Sequence, residues 1–209
     1  MNPNSIAFSI FRILFGSYLL VHLAQLLPYA EELFSYTGIY NSTHPSPFQG
    51  FWANPLFTAT PYLATSMVSI GCLASMALIT GRMRKPAALY LWFLSSCLFT
   101  VNPLISNPSQ AYTGLLLLFL TLIPNGEKWV LGRHESSKWK IPPPIKNCAW
   151  LLLAIGYSFS GVMKLSSPSW IDGSALNHVL ENPLAHPNTL RELLLSLPLV
   201  FLKTLTWST

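Results

Sequence analysis

The chain opens with an apolar run from Ser5 to Pro28 that carries a single charge, Arg12, and four further apolar runs follow, each closed by a polar connection. About 20 such residues are what an α-helix needs to cross the hydrocarbon core of a bilayer. In that core, backbone amides are satisfied only in helices and closed barrels. The later runs span Phe57 to Thr80, Pro86 to Leu104, Tyr112 to Ile123 and Cys148 to Leu165. The fourth is short, which predicts that it tilts, starts earlier in the preceding loop, or fails to span fully. The expected fold is all-α: a polytopic membrane helix bundle of about five spanning helices in one domain over residues 1–209.

Composition supports lipid as the solvent. Charged residues make up 9% of the chain, against roughly 25% in soluble domains. The net charge of +5 comes without any run of five basic residues, which excludes a nucleic-acid partner. Cys72, Cys97 and Cys148 all lie in apolar runs without C-x-x-C spacing, so they point to packing and not to a metal or a disulfide framework. The first run lacks the basic start and the small-residue cleavage site of a signal peptide, and is expected to remain in the protein.

Basic residues also orient the chain. The connections after the second and fourth runs hold eight of the twelve Lys and Arg residues, while the first and third connections hold none. The positive-inside rule then places the N-terminus in the cytoplasm and Lys164, at the end of the fifth run, near the outer face. The first connection, from Tyr29 to Pro55, is rich in aromatics including Trp52, and reads as an interfacial lid; it contains an Asn41-Ser42-Thr43 sequon.

Polar residues inside apolar helices are the candidates for function. In the first run, Ser5, Ser9, Arg12 and Gly16 share one helical stripe, and Tyr18, His22, Gln25 and Tyr29 share a second; both are expected to face protein. Arg12 either snorkels to the nearby headgroups or points inward as a binding residue. His22 lies deeper and is a binding candidate. In the fifth run, Tyr157, Ser160 and Lys164 share a face, and the small pair Gly156 and Ser160 suits close approach of another helix. Lys164 is therefore expected to point into the bundle, either paired with Asp172 just beyond the turn or neutral in an apolar pocket without a carboxylate. Thr189 to Glu192 has capping-box spacing, so a helix from there to Leu205 is expected, containing Pro198 and too short to span.

The block Tyr157-Ser-Phe-Ser-Gly161-Val-Met-Lys164-Leu165, followed by Trp170, Asp172-Gly173 and Ala175-Leu176, resembles the vitamin K-dependent gamma-carboxylase family and its broader relatives, the HTTM (horizontally transferred transmembrane) domain proteins. Phe11-Arg12 with Gly16 and the order of helices extend the resemblance over most of the chain. The resemblance implies an HTTM-like membrane domain in which Lys164 is the base that deprotonates a lipid-soluble quinol, with Arg12, His22, Tyr157, Ser160, Trp170 and Asp172 around the bound molecule. A lysine can act as a base only where apolar surroundings disfavour its charged form. Where the carboxylases carry an Asn-His pair, this chain has Asn107 to Tyr112 without histidine, and it ends at Thr209 without their large luminal domain. Both differences point away from glutamate carboxylation and toward a C-terminally shortened member. The alternatives are a non-catalytic helper that engages a peptide or membrane-protein partner during maturation or export, and a degenerate structural remnant.

Overall fold

The computed structural model describes residues 3–40, 46–48, 53–105, 109–132, 136, 139–182, 185 and 187–208. The sequon, Trp52, Asn107, Arg133 and Lys138 lie outside these residues. Among the described residues every regular element is helical. Five helices match the five apolar runs: α1 (Pro3–Leu26), α3 (Pro61–Thr80), α4 (Arg84–Val101), α5 (Ser109–Leu122) and α6 (Pro143–Leu165). Between the first two lies α2 (Ala30–Phe34), and four short helices close the chain: α7 (Pro168–Ile171), α8 (Ala175–Glu181), α9 (Thr189–Leu195) and α10 (Leu199–Ser208).

Three helical stretches, Asn4–Phe34, Pro61–Thr80 and Pro143–Leu165, are long and apolar enough to cross a membrane. With 18 and 14 residues, α4 and α5 reach about 27 and 21 Å at 1.5 Å per residue. α5 does start earlier than Tyr112, at Ser109, yet remains shorter than the roughly 30 Å hydrocarbon layer.

The chain divides into two compact units, residues 1–149 and 150–209. In the first, α3 packs against both α1 and α4, and α4 packs against α5. Its ends are set by local chemistry. Thr60 accepts the Leu63 N–H at 3.3 Å with Pro61 at the first helical position, and Gly81 (φ 74°) ends α3 in the left-handed conformation. Lipid tails are as apolar as leucine, so association within a bilayer depends on close packing more than on water exclusion. Gly71 provides it: a Cβ there would lie 2.5 Å from Leu94 Cδ2 and 3.0 Å from Leu23 Cδ1. Around this crossing sit buried Leu19, Val68, Leu78, Leu91 and Leu98. Hydroxyls on these helices bond back to their own backbone, as Ser75 does to the Gly71 carbonyl at 2.9 Å.

At the far end of α4 two asparagines fasten the loops. Asn54 donates to the Cys97 carbonyl (2.9 Å) and to Thr100 Oγ1 (2.6 Å) while accepting the Leu56 N–H. Asn102 caps the turn after α4 through Leu104 N and reaches the Leu33 carbonyl.

The second unit has a small core. Ala175, Leu202 and Thr206 are buried where α10 lies against α8. Gly173 (φ 79°) permits the approach, since a Cβ on it would stand 3.0 Å from Lys203 Cβ. The single C-terminal helix expected from Thr189 is instead two helices, because Pro198 lacks the N–H that a continuous helix requires. The cap also moves by one residue: Asn188 Oδ1, not the Thr189 hydroxyl, accepts the Arg191 N–H at 2.8 Å.

Candidate functional site

The first polar centre is built on the Ser5, Ser9, Arg12 and Gly16 stripe, which faces protein as its spacing predicts. Ser5 and Ser9 are fully buried and clamp the chain after α5: the Lys128 N–H donates to Ser5 Oγ (2.9 Å), and Ser9 Oγ donates to the Lys128 carbonyl (2.6 Å). Arg12 is 0% exposed, so snorkelling is excluded by its burial. Its guanidinium donates to the Leu78 and Ile79 carbonyls that end α3 and to the Trp129 carbonyl at 2.9 Å. Gly81 makes room for it, because a Cβ there would lie 2.9 Å from Arg12 Cζ.

Arg84 repeats the arrangement one helix further on. It donates to the Leu120, Ile123 and Pro124 carbonyls at the end of α5 and to Asn125 Oδ1. Between the two guanidiniums lies Glu127, its Oε1 3.0 Å from Arg84 Nε and 3.6 Å from Arg12 Nε. All three side chains are at most 1% exposed. Each arginine thus satisfies helix-end carbonyls that would otherwise be orphaned, and one carboxylate offsets much of their mutual repulsion. Nearby, Trp139 donates to the Pro124 carbonyl (2.9 Å) and meets Phe8 in a tilted ring contact at 5.1 Å between centroids, and the Arg84 guanidinium lies 5.4 Å from the centroid of the same Phe8 ring. This cluster is a structural lock. Arg12 is a member of it through its carbonyl bonds and its pairing with Glu127. Arg84 and Glu127 complete it, and no spacing in the sequence singles out either residue.

The second stripe of α1 does not face protein within this unit. Tyr18, Gln25 and Tyr29 are exposed and His22 is half-buried, its ring stacked on Tyr18 with centroids 6.1 Å apart. Amphipathic aromatics favour the wall of an apolar helix near headgroups as readily as a protein interface, so i, i+4 spacing alone does not tell the two apart.

The second centre surrounds Lys164 in the 150–209 unit. Its amine lies 4.4 Å from the Trp170 ring centroid. A cavity of about 340 Å³ opens beside it, lined by Gly161, Lys164, Leu165, Trp170, Ile171, Thr206 and Trp207. The far wall is fixed by α10: Trp207 Nε1 donates to the Ile171 carbonyl (3.3 Å), and Thr206 Oγ1 accepts the Leu176 N–H (3.3 Å). Lys164 and Trp170 therefore come together, and Trp207 and Thr206 join them from the C-terminal segment, which no spacing in the sequence links to Lys164.

Of the two states open to Lys164, the pair with Asp172 is not the one that holds this carboxylate, which has other contacts. Asp172 Oδ1 accepts the Ser174 N–H at 2.8 Å in an Asp-Gly turn, and the positive charges that act on its carboxylate are those of Lys203 and His178. The Ser174 hydrogen bonds first, and those charges second, hold Asp172 below the usual carboxylate range although burial opposes them. Tyr157 and Ser160 are also not gathered with Lys164 into a packed face: Tyr157 is 73% exposed, Ser160 is exposed, and α6 has no buried residue. A Cβ on Gly161 would meet nothing within 4 Å. The small-residue spacing in α6 permits a helix to approach, but no helix of this unit occupies that face. No protein-family model, curated protein or solved structure matches the chain.

Proposed function

We propose that the chain is an integral-membrane protein of the HTTM and vitamin K-dependent gamma-carboxylase-like kind, in which the Lys164 cavity binds a lipid-soluble quinone or quinol. In this reading α1, α3, α4, α5 and α6 all cross the bilayer, the N-terminus is cytoplasmic, and the cavity lies near the outer face. The observation that carries it is the Lys164 amine held over Trp170 beside an apolar cavity of about 340 Å³. An indole face attracts a cationic amine. The lysine is therefore poised to donate to the oxygen of a planar ring that stacks on Trp170 or Trp207.

Among the described residues that line the cavity, none carries a carboxylate. An acid-base step would fall to Lys164 itself: only the neutral amine takes the proton of the quinol oxygen, while the ammonium form over the indole donates a hydrogen bond to the quinone oxygen. Binding and base chemistry separate under substitution. Lys164→Arg keeps the charge and the donor, whereas Lys164→Met keeps the apolar stem alone. Titration of detergent-solubilised protein with a short-chain naphthoquinone, followed by tryptophan quenching, should show saturable binding. We expect Lys164→Met to weaken it at least about fivefold and Lys164→Arg to retain it. Equal binding by wild type and Lys164→Met would overturn this function.

A further inference from the structure

At the Arg12–Glu127–Arg84 end of the first unit, the structure opens a second cavity, of about 500 Å³, between the α3–α4 turn and the chain that follows α5. Its walls include Arg82, Met83, Arg84 and Lys85 on one side and Asn125 and Leu131 on the other. The two sides are tied together by the Leu131 N–H on the Thr80 carbonyl (3.0 Å) and by Arg84 on Asn125 Oδ1 (3.0 Å). The cavity is thus built by the fold and not by two loops that happen to lie close together.

Its charge is one-sided. Arg84 is matched by Glu127, but among the described residues neither Arg82 nor Lys85 forms an ion pair, and no acidic side chain lines the cavity. The first turn of the 18-residue helix α4 starts here without a side-chain cap and presents the positive end of its dipole. Beside these charges stand apolar side chains turned outward: Met83 is 70% and Leu131 64% exposed, and Trp129 is exposed next to them. A free inorganic anion would gain nothing from such neighbours. An amphiphile would use both, with its headgroup among the charges and its chains against Met83 and Leu131.

We propose that this cavity is a binding site for the phosphate-bearing headgroup of an anionic membrane lipid. The inference rests on residence in the bilayer and is independent of the Lys164 cavity, so quinone binding can fail without affecting it. Arg82 and Lys85 hold the phosphate, and Met83 and Leu131 contact the acyl chains.

The full chain, reconstituted in nanodiscs of phosphatidylcholine with one-fifth phosphatidylglycerol, would be released into detergent and weighed by native mass spectrometry. Wild type should retain phosphatidylglycerol selectively, and Arg82→Gln/Lys85→Gln should lose at least about fivefold of that adduct. Lys140→Gln/Lys146→Gln removes the same charge outside the cavity and should retain the adduct. Met83→Ser/Leu131→Ser should lower lipid retention. Inorganic phosphate added during release should not compete at millimolar concentration. Equal loss in the two charge variants would mean a diffuse surface attraction and overturn the site. Retention by Arg82→Gln/Lys85→Gln, full retention by Met83→Ser/Leu131→Ser, or displacement by inorganic phosphate would overturn it as well. Extraction of the protein by alkaline carbonate would instead remove the membrane premise itself, a separate failure.

Discussion

Replacing Glu127 with glutamine tests the lock at its centre, because the substitution keeps the volume and one carbonyl oxygen while deleting the charge shared by two buried arginines. Its Oε1 stands 3.0 Å from Arg84 Nε and 3.6 Å from Arg12 Nε. At an effective dielectric constant of 20, those separations correspond to about 5.5 and about 4.6 kcal/mol of gross attraction. Desolvation of three ions cancels a large part of this in the native protein, but the variant must still bury both guanidiniums without their counter-ion. Loss of one partner from a buried pair costs about 3–5 kcal/mol. The carbonyl bonds of Arg12 and Arg84 remain in the variant, so the cost should stay within that range although two pairs are broken. For a chain of this size, about 2–4 °C of melting temperature accompanies each kcal/mol, which gives a drop of about 6–20 °C. Thermal unfolding in a fixed detergent, read by tryptophan fluorescence and circular dichroism, measures it. Glu181→Gln, which removes the same charge at an exposed position, should move the midpoint by less than about 2 °C. A Glu127→Gln midpoint within about 2 °C of wild type would refute the reasoning, since it would mean that the arginines do not depend on the carboxylate.

Two further outcomes are expected. With Cys72, Cys97 and Cys148 replaced, an impermeant thiol reagent on intact cells should label Thr37→Cys and spare Ser136→Cys; both positions are exposed, and the reverse labelling would invert the orientation. The carboxyl of Asp172 is held low chiefly by the Ser174 hydrogen bonds, so its contribution to the α7–α8 turn is fully present above the ordinary aspartate value of about 3.9 and is lost as pH falls through the lower folded value. Asp172→Asn should abolish this pH-dependent loss in an acid titration followed by amide NMR of Ser174, and an unchanged titration would assign it to another group.

What the sequence disclosed and what it concealed follow from how local each signal is. The five long helices are legible because apolar length is read within one segment. The buried stripe of α1 is legible because Ser5, Ser9, Arg12 and Gly16 recur at helical spacing and polar groups in such a helix need protein partners. Arg84 and Glu127 are 43 positions apart in the chain. No periodicity links them, so each reads as one more loop charge until the α3–α4 turn and the chain after α5 are brought together. That also weakens the topology arithmetic slightly, since Arg84 is spent on Glu127 and does not face headgroups. At the Tyr18 and His22 stripe, spacing reveals which residues share a face but not what that face touches. At Lys164, proximity to Trp170 follows from a short turn, whereas Trp207 arrives from α10 through a fold of the tail that the sequence does not encode by spacing.

The placement of Arg12 also bears on how the protein is made. Its carbonyl acceptor at Trp129 lies 117 positions downstream, and Leu78 and Ile79 lie 66 and 67 positions downstream. At about 5–20 residues per second of synthesis, about 6–23 s pass after Arg12 itself is made before its guanidinium can find the whole of its native coordination. During that interval, an arginine on an otherwise apolar segment must rely on water, on lipid phosphates or on the insertion machinery. Biogenesis of this chain is thus ordered from its middle: α1 can settle only after α3, α4 and α5 have been delivered, and the first helix synthesised is among the last to be locked in place.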